Sequence, residues 1–167
     1  MLQTSLVHRW AVFSILVGLT LPILPAAAQA PRSTDEITTL TEDVYLFHHQ
    51  THQAIFVVTS EGVVVTDPIS LEAATWLKTE IAKLTAQPVR YVIYSHHHND
   101  HIRGGRVFAG QALFVSHQAA RSKILEAADA STPVPDLTFT DRMTIDLGGK
   151  HIELIYTGRN HSDNSLV

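Results

Sequence analysis

From residue 44 onward, apolar and polar positions alternate in short runs rich in β-branched and aromatic residues. VYLFH (44–48), AIFVVTS (54–60) and GVVVTD (62–67) therefore read as strands. Ser60-Glu61-Gly62 reads as a tight turn joining the last two. The period then changes. Ser70 is a capping residue, and beyond it Ala74, Leu77, Ile81 and Leu84 recur at helical spacing. Pro88 stops a helix expected to reach about Gln87. VRYVIYS (89–95) is almost continuously apolar, the pattern of a strand covered on both faces. ALFVS (112–116) is a further strand, with Ser116 placed to cap a helix to about Ala128. STPVPDL (131–137) is a proline-broken loop. MTIDL (143–147) and HIELIYT (151–157) are strands joined at Gly148-Gly149. Strands first, then strands alternating with helices, predict a mixed α/β layered fold without internal repeats.

The start of the chain follows another pattern. MLQTSLVHRW carries one arginine and no acid, AVFSILVGLTLPIL (11–24) is apolar, and AAAQA (26–30) supplies small residues for cleavage. That is the layout of a secretory signal peptide over residues 1–28, with cleavage after Ala30 as the alternative. The apolar run falls short of the roughly 20 residues a spanning helix needs, so no stable membrane anchor is expected. Residues 29–36 read as a linker and 37–167 as one domain, exported to the periplasm or secreted. The full chain carries −4 at neutral pH, and losing the leader removes Arg9 and no acid. An exported acidic domain is a poor nucleic-acid binder, because that function needs clustered Lys and Arg. There is no cysteine, hence no disulfide and no thiol chemistry.

The chemistry concentrates in SHHHNDH (95–101), straight after an apolar strand. In an extended backbone alternate side chains share a face, so His96 and His98 point together and His97 points away. Two imidazoles so spaced can reach one cation at about 2.0–2.1 Å. Asp100 and His101 follow where the chain turns at a strand's carboxyl end, the usual ligand edge of an open α/β sheet. They could hold a second cation or orient a water. Gly104-Gly105 lets the loop turn away closely. His161, in the polar loop TGRNHSDN, is the best candidate for a third ligand. Three neutral histidines around zinc leave one position open, as in catalytic sites, where bound water ionises near pH ~7.

SHHHNDH resembles the H-x-H-x-D-H signature of the metallo-β-lactamase superfamily, with Ser95 in its customary Ser/Thr position. TDP (66–68) resembles the family's early aspartate at a strand end, and GRNHSDN its later metal-histidine motif. The match runs in the expected order over roughly residues 37–167. The resemblance implies a four-layer αββα sandwich, here its N-terminal half plus the start of the second half, with a dinuclear zinc site. His96, His98 and His161 would hold the first metal. Asp100 and His101 would hold the second, Asp100 also steering the attacking water, and Asp67 would orient ligands without binding metal. The family carries two further ligands downstream, an acid or cysteine and a final histidine. The chain stops at NSLV, inside what reads as another apolar strand, and is expected to be a fragment with an incomplete second site.

The resulting expectation is a zinc hydrolase using metal-bound hydroxide on a small ester, lactone, thioester or lactam. The alternative is an inactive metal-binding remnant of such an enzyme. Of the remaining histidines, His48, His49 and His52 read as a solvated loop, with contact between His52 and substrate as the alternative. His117 and His151 read as structural. Arg103 and Arg106 read as solvated, and Trp76 as covering the sheet.

Overall fold

The computed structural model describes residues 35–167. The expected leader and all but the end of the linker lie outside them. The main sheet opens as a meander of β1 (Glu36–Thr39), β2 (Val44–His49), β3 (His52–Val58) and β4 (Val63–Thr66), each antiparallel to the last. It continues in parallel through β5 (Val89–Ile93), β6 (Leu113–His117) and β7 (Leu137–Phe139). The seven strands lie in sequence order. β8 (Arg142–Leu147) and β9 (Lys150–Ile155) form a separate two-stranded sheet. The helices are α1 (Leu71–Leu84), the one-turn α2 (Asn99–Ile102), a 3₁₀ segment at Arg103–Phe108, and α3 (Gln118–Ala127).

The valine run of β4 shows why the sheet is covered on both faces. Val63 and Val65 point into one apolar cluster with Phe47, Phe56, Leu77 of α1 and Ile124 of α3. Val64 points the other way, with Ile93 and Val115, onto Ile145 of β8 and Leu154 of β9. Phe47, Phe56, Val63 and Val65 are fully buried, each contributing on the order of 1.5–3 kcal/mol relative to exposure. The result is a helix layer, a large sheet and the opening of a second sheet, as expected of the sandwich. Along β8, Arg142, Thr144 and Asp146 are exposed while Ile145 is buried, the alternation of a strand with one wet face.

Most boundaries follow from local chemistry. The Ser70 hydroxyl accepts from the Ala73 N–H at 3.1 Å and starts α1, and the chain turns extended at Thr85, ahead of Pro88. Leu84 keeps the helical period but is 49% exposed, and Ala73 is buried beside Ala74 instead. Gly148 and Gly149 take φ of +51° and +82°, as a two-residue hairpin with Leu147 opposite Lys150 requires. Three expectations need correction. α3 is capped by the His117 imidazole accepting from the Ala119 N–H, not by Ser116, whose hydroxyl bonds the His117 carbonyl. The loop expected at 131–137 ends by entering β7 at Leu137, paired with Val115. The strand expected to run from 89 into His96 ends at Ile93.

Arg103 and Arg106 are exposed, as expected, and each is tethered by one hydrogen bond. Arg103 bonds Asp129 at 3.1 Å and Arg106 the Ala130 carbonyl at 3.0 Å, pinning the 3₁₀ segment to the loop after α3. Trp76 stacks on Phe47 with ring centroids 5.6 Å apart. Among the described residues no helix is long and apolar enough to cross a membrane.

Gly104 marks a close approach between backbones. A Cβ there would lie 2.1 Å from the Pro68 carbonyl oxygen and 2.5 Å from that of Ser70, both backbone atoms without a flexible escape. Gly104→Ala should therefore destabilise the protein by about 1–3 kcal/mol, the range for overpacking a filled core. Urea unfolding measures this, and an unchanged midpoint would contradict the packing described.

Candidate metal centre

Parallel pairing of β4 and β5 brings their carboxyl ends to the same edge of the sheet. Asp67 follows β4 and Ser95 follows β5 by one residue more. Asp67 is buried and accepts three hydrogen bonds: from Ser95 N–H at 2.8 Å, from the Ser95 hydroxyl at 2.5 Å, and from His101 Nδ1 at 3.1 Å. With its Nδ1 so engaged, His101 presents Nε2 outward. Holding this corner takes unusual backbone: Asp67 has φ +35° and Ile69, which is β-branched, +61°. Backbone bonds from Asp67 N–H to Ile93 and from Ile69 N–H to His101 keep it there.

His96 continues the same chain of hydrogen bonds. The Ser95 hydroxyl commits its proton to Asp67, so the 2.9 Å contact with His96 is made by Nδ1–H donating to Ser95. His96 Nε2 then carries a lone pair, and it is buried without a hydrogen-bond partner. An orphaned buried acceptor is costly unless something electropositive meets it. Burial, foremost, and the neighbouring His101 push the His96 pKa down to about 4, so the ring is neutral at pH 7. His98 is shifted down too, chiefly by desolvation. Although it occupies the cap position of α2, its side chain makes no capping bond, which leaves the ring for the site.

His96, His98 and His161 offer ring nitrogens that all lie within 4.8 Å of one another. The ring of His161 is 5.0 Å by centroid from each of the other two, which are themselves 4.6 Å apart. Three imidazoles, one with an unsatisfied buried nitrogen, fit a borderline divalent cation such as zinc. Since the strand stops at Ile93, alternation is not what aligns His96 with His98; a bend across residues 95–97 does so.

His97 stands outside this group. Its backbone N–H donates to Asn164 Oδ1 at 3.1 Å, and its Nδ1 accepts from Asn164 Nδ2 at 3.0 Å. Asn164 is fully buried and also donates to Asp163, which pairs with Lys123 of α3 at 3.3 Å. The loop carrying His161 is thus clipped to the loop carrying His96 and His98. The final residues close the other side of it: Leu166 N–H bonds the Ser95 carbonyl, and Val167 exchanges two bonds with Ile155.

The histidines expected to sit in a solvated loop do not. His49 is buried in β2 and paired with Asp35. His52 opens β3, and its Nε2 lies 3.1 Å from Asp100 Oδ2. That bond, above all, holds the Asp100 carboxyl below the usual carboxylate range. The hydrogen bond from His101 to Asp67 raises the pKa of His101. His52, Asp100 and His101 form a second group of donors within 4.8 Å. The sequence suggested His52 only as an alternative contact with substrate, because its partner Asp100 lies 48 positions away. His117 is structural as expected, stacking on Tyr156 at 4.1 Å, and His151 pairs with Asp146 at 2.7 Å on the surface.

Residues 50–166 match the family model described as the metallo-beta-lactamase superfamily. The chain belongs to that superfamily. It is 26% identical over 165 residues to "Metallo-beta-lactamase type 2" of Bacteroides fragilis, covering 92% of this chain and 66% of that protein. The solved metallo-beta-lactamase of Pontibacter korlensis superposes with a TM-score of 0.65 at 25% identity, over 80% of this chain and 65% of that one. A metallo-beta-lactamase of Cronobacter sakazakii superposes at 0.67 with 18% identity, over 78% of this chain and 58% of that one, which speaks to fold alone. This superfamily member thus spans 58–66% of the length of these relatives.

If the three imidazoles hold a divalent cation, Asn164→Ala should weaken its binding by about 10–100-fold, the usual effect of losing a partner that orients ligands. His97→Ala keeps the backbone bond to Asn164 and should cost less. Competition against a chromophoric chelator measures both, and equal affinities for wild type and Asn164→Ala would refute the clip.

Proposed function

We propose that this chain is an exported zinc-dependent hydrolase acting on a small ester, lactone, thioester or lactam. The observation that carries the reading is the convergence of His96, His98 and His161 around the unpartnered, buried His96 Nε2. Zinc held there would supply Lewis acidity toward a carbonyl and acidify water. The chain's own residues supply the rest. Asp100, kept ionised by His52 and 61% exposed at its side chain, is placed to accept a proton from an attacking water and return it to a leaving group. Asp67 and Ser95 fix the ring orientations of His101 and His96, so the imidazoles need not reorganise when the cation binds. A cavity of about 360 Å³ flanks His98, Asn99 and Asp100, with Lys123 of α3 on its wall, and is sized for a small molecule rather than a polymer. The relatives named as metallo-beta-lactamases favour the lactam among the candidate substrates. Export rests on the leader pattern of residues 1–28.

The test is turnover of a lactam, a lactone and a thioester by the zinc-loaded chain. Chelation should abolish hydrolysis and zinc should restore it. His96→Ala and His98→Ala should each lose both the metal and the activity. Asp100→Asn should keep the His96–His98–His161 cation and lose about 10²–10⁴-fold in rate, the usual worth of a positioned acid–base group. One equivalent of bound zinc with no turnover of any substrate would sink the hydrolase reading and leave a metal-binding domain.

A further inference from the structure

The cavity that His98 and Asp100 border is also lined by Ile102, by Ile124 and Ala127 of α3, and by Thr132 in the loop beyond that helix. At about 360 Å³ it is many times the roughly 30 Å³ that one water takes up in the liquid. Thr132 is only 6% exposed, and its Oγ1 has no hydrogen-bond partner among the described residues. The loop that carries it is held in place. The Thr132 N–H donates to the Asp129 carbonyl at 3.0 Å, and the Ser131 carbonyl accepts from the Arg106 N–H at 3.1 Å. A valine of the same shape would leave nothing unmet there, so the buried hydroxyl costs stability unless a ligand meets it.

The charged groups of the wall are matched already. Lys123 pairs with Asp163 at 3.3 Å, and Asp100 with His52 at 3.1 Å. Asp129 accepts from the Ser131 N–H, the Ser131 hydroxyl and Arg103. An ion entering the cavity must shed its water and compete with these pairs, costs that a neutral group avoids. The buried group left unmet is one hydroxyl beside apolar surface. We propose that the cavity is a subsite for an uncharged side arm of the substrate: an apolar body against Ile102, Ile124 and Ala127, ending in a neutral oxygen such as an amide carbonyl that accepts from Thr132. The proposal rests on the hydrolase reading for what the arm is attached to, and Thr132 is then a residue that selects among substrates without touching the reacting carbonyl.

The experiment has a binding arm and a turnover arm. In the first, the methyl-labelled chain without added zinc is titrated with N-butylacetamide, pentanoate and butylamine, followed by NMR. The amide should shift the Ile124 and Ala127 methyls saturably, and the two ions should bind more than about 10-fold more weakly, since each must give up the hydration of a charge. Thr132→Val should weaken the amide by about 2–10-fold, the worth of one neutral hydrogen bond. Its urea midpoint should not fall, because the lost hydroxyl has no partner in the free protein. Ala127→Phe, on an exposed position of the wall, should abolish binding. In the second arm, the zinc-loaded chain should favour a thioester with an amide in its side arm over the all-carbon analogue by about 2–10-fold in kcat/KM, and Thr132→Val should erase the difference. The proposal is overturned if the methyls do not shift saturably, which leaves an ordered water only, or if pentanoate binds as tightly, which makes Lys123 an anion site. It is overturned equally if Thr132→Val changes neither arm. Binding of the amide with no turnover of either thioester would instead overturn the hydrolase reading.

Discussion

The Asp67 carboxylate accepts from the Ser95 backbone, the Ser95 hydroxyl and His101, so one buried anion joins the ends of β4 and β5 to α2. Taking a carboxylate out of water costs several kcal/mol unless its lone pairs are met, and here three donors meet them. The same bonds dictate which nitrogen of His101, and through Ser95 which nitrogen of His96, faces the centre. The strained φ values at Asp67 and Ile69 cost of order 1–3 kcal/mol each and persist because the surrounding bonds over-determine the corner. Gly104 belongs to this arrangement as well, since the segment after α2 can pass the Pro68 carbonyl only without a side chain.

Around that corner the donors come from three directions. The bend at 95–97 and the turn of α2 provide His96, His98, Asp100 and His101. The loop after β9 provides His161, and the β2–β3 hairpin provides His52. Several are held by protein groups: His96 by Ser95, His101 by Asp67, Asp100 and His52 by each other, and the His161 loop by Asn164. Much of the centre is therefore assembled by the protein itself, so these side chains would lose little conformational freedom on binding a cation.

What could be read beforehand was what is local. Ser70 and Pro88 bracketed α1, the β4 valines announced a strand covered on both faces, and Gly148-Gly149 placed a hairpin. SHHHNDH pointed to metal by its density alone. What could not be read depends on distant partners. β1 and β7 are short and gain their identity from pairing with β2 and β6, and His117 displaced Ser116 as a cap because the chain turns one residue later. Alternation foresaw that His96 and His98 converge, but through a strand that had already ended. His52 and Asn164 look ordinary in sequence, since their contacts to Asp100 and His97 span 48 and 67 positions.

The clip between Asn164 and His97 has a consequence for how the protein acquires its shape. Closing a loop of that length carries an entropy cost that grows only slowly with its size, yet it must be met before the contact returns anything. His96 and His98 are two positions apart in the chain, whereas His161 lies beyond β8 and β9 and reaches them only across a long loop of chain. A cation held by all three would bind the finished fold and not its precursors, stabilising it in proportion to the logarithm of its free concentration. Metal supply would then set how much of the chain is folded, separate from any part it plays in chemistry.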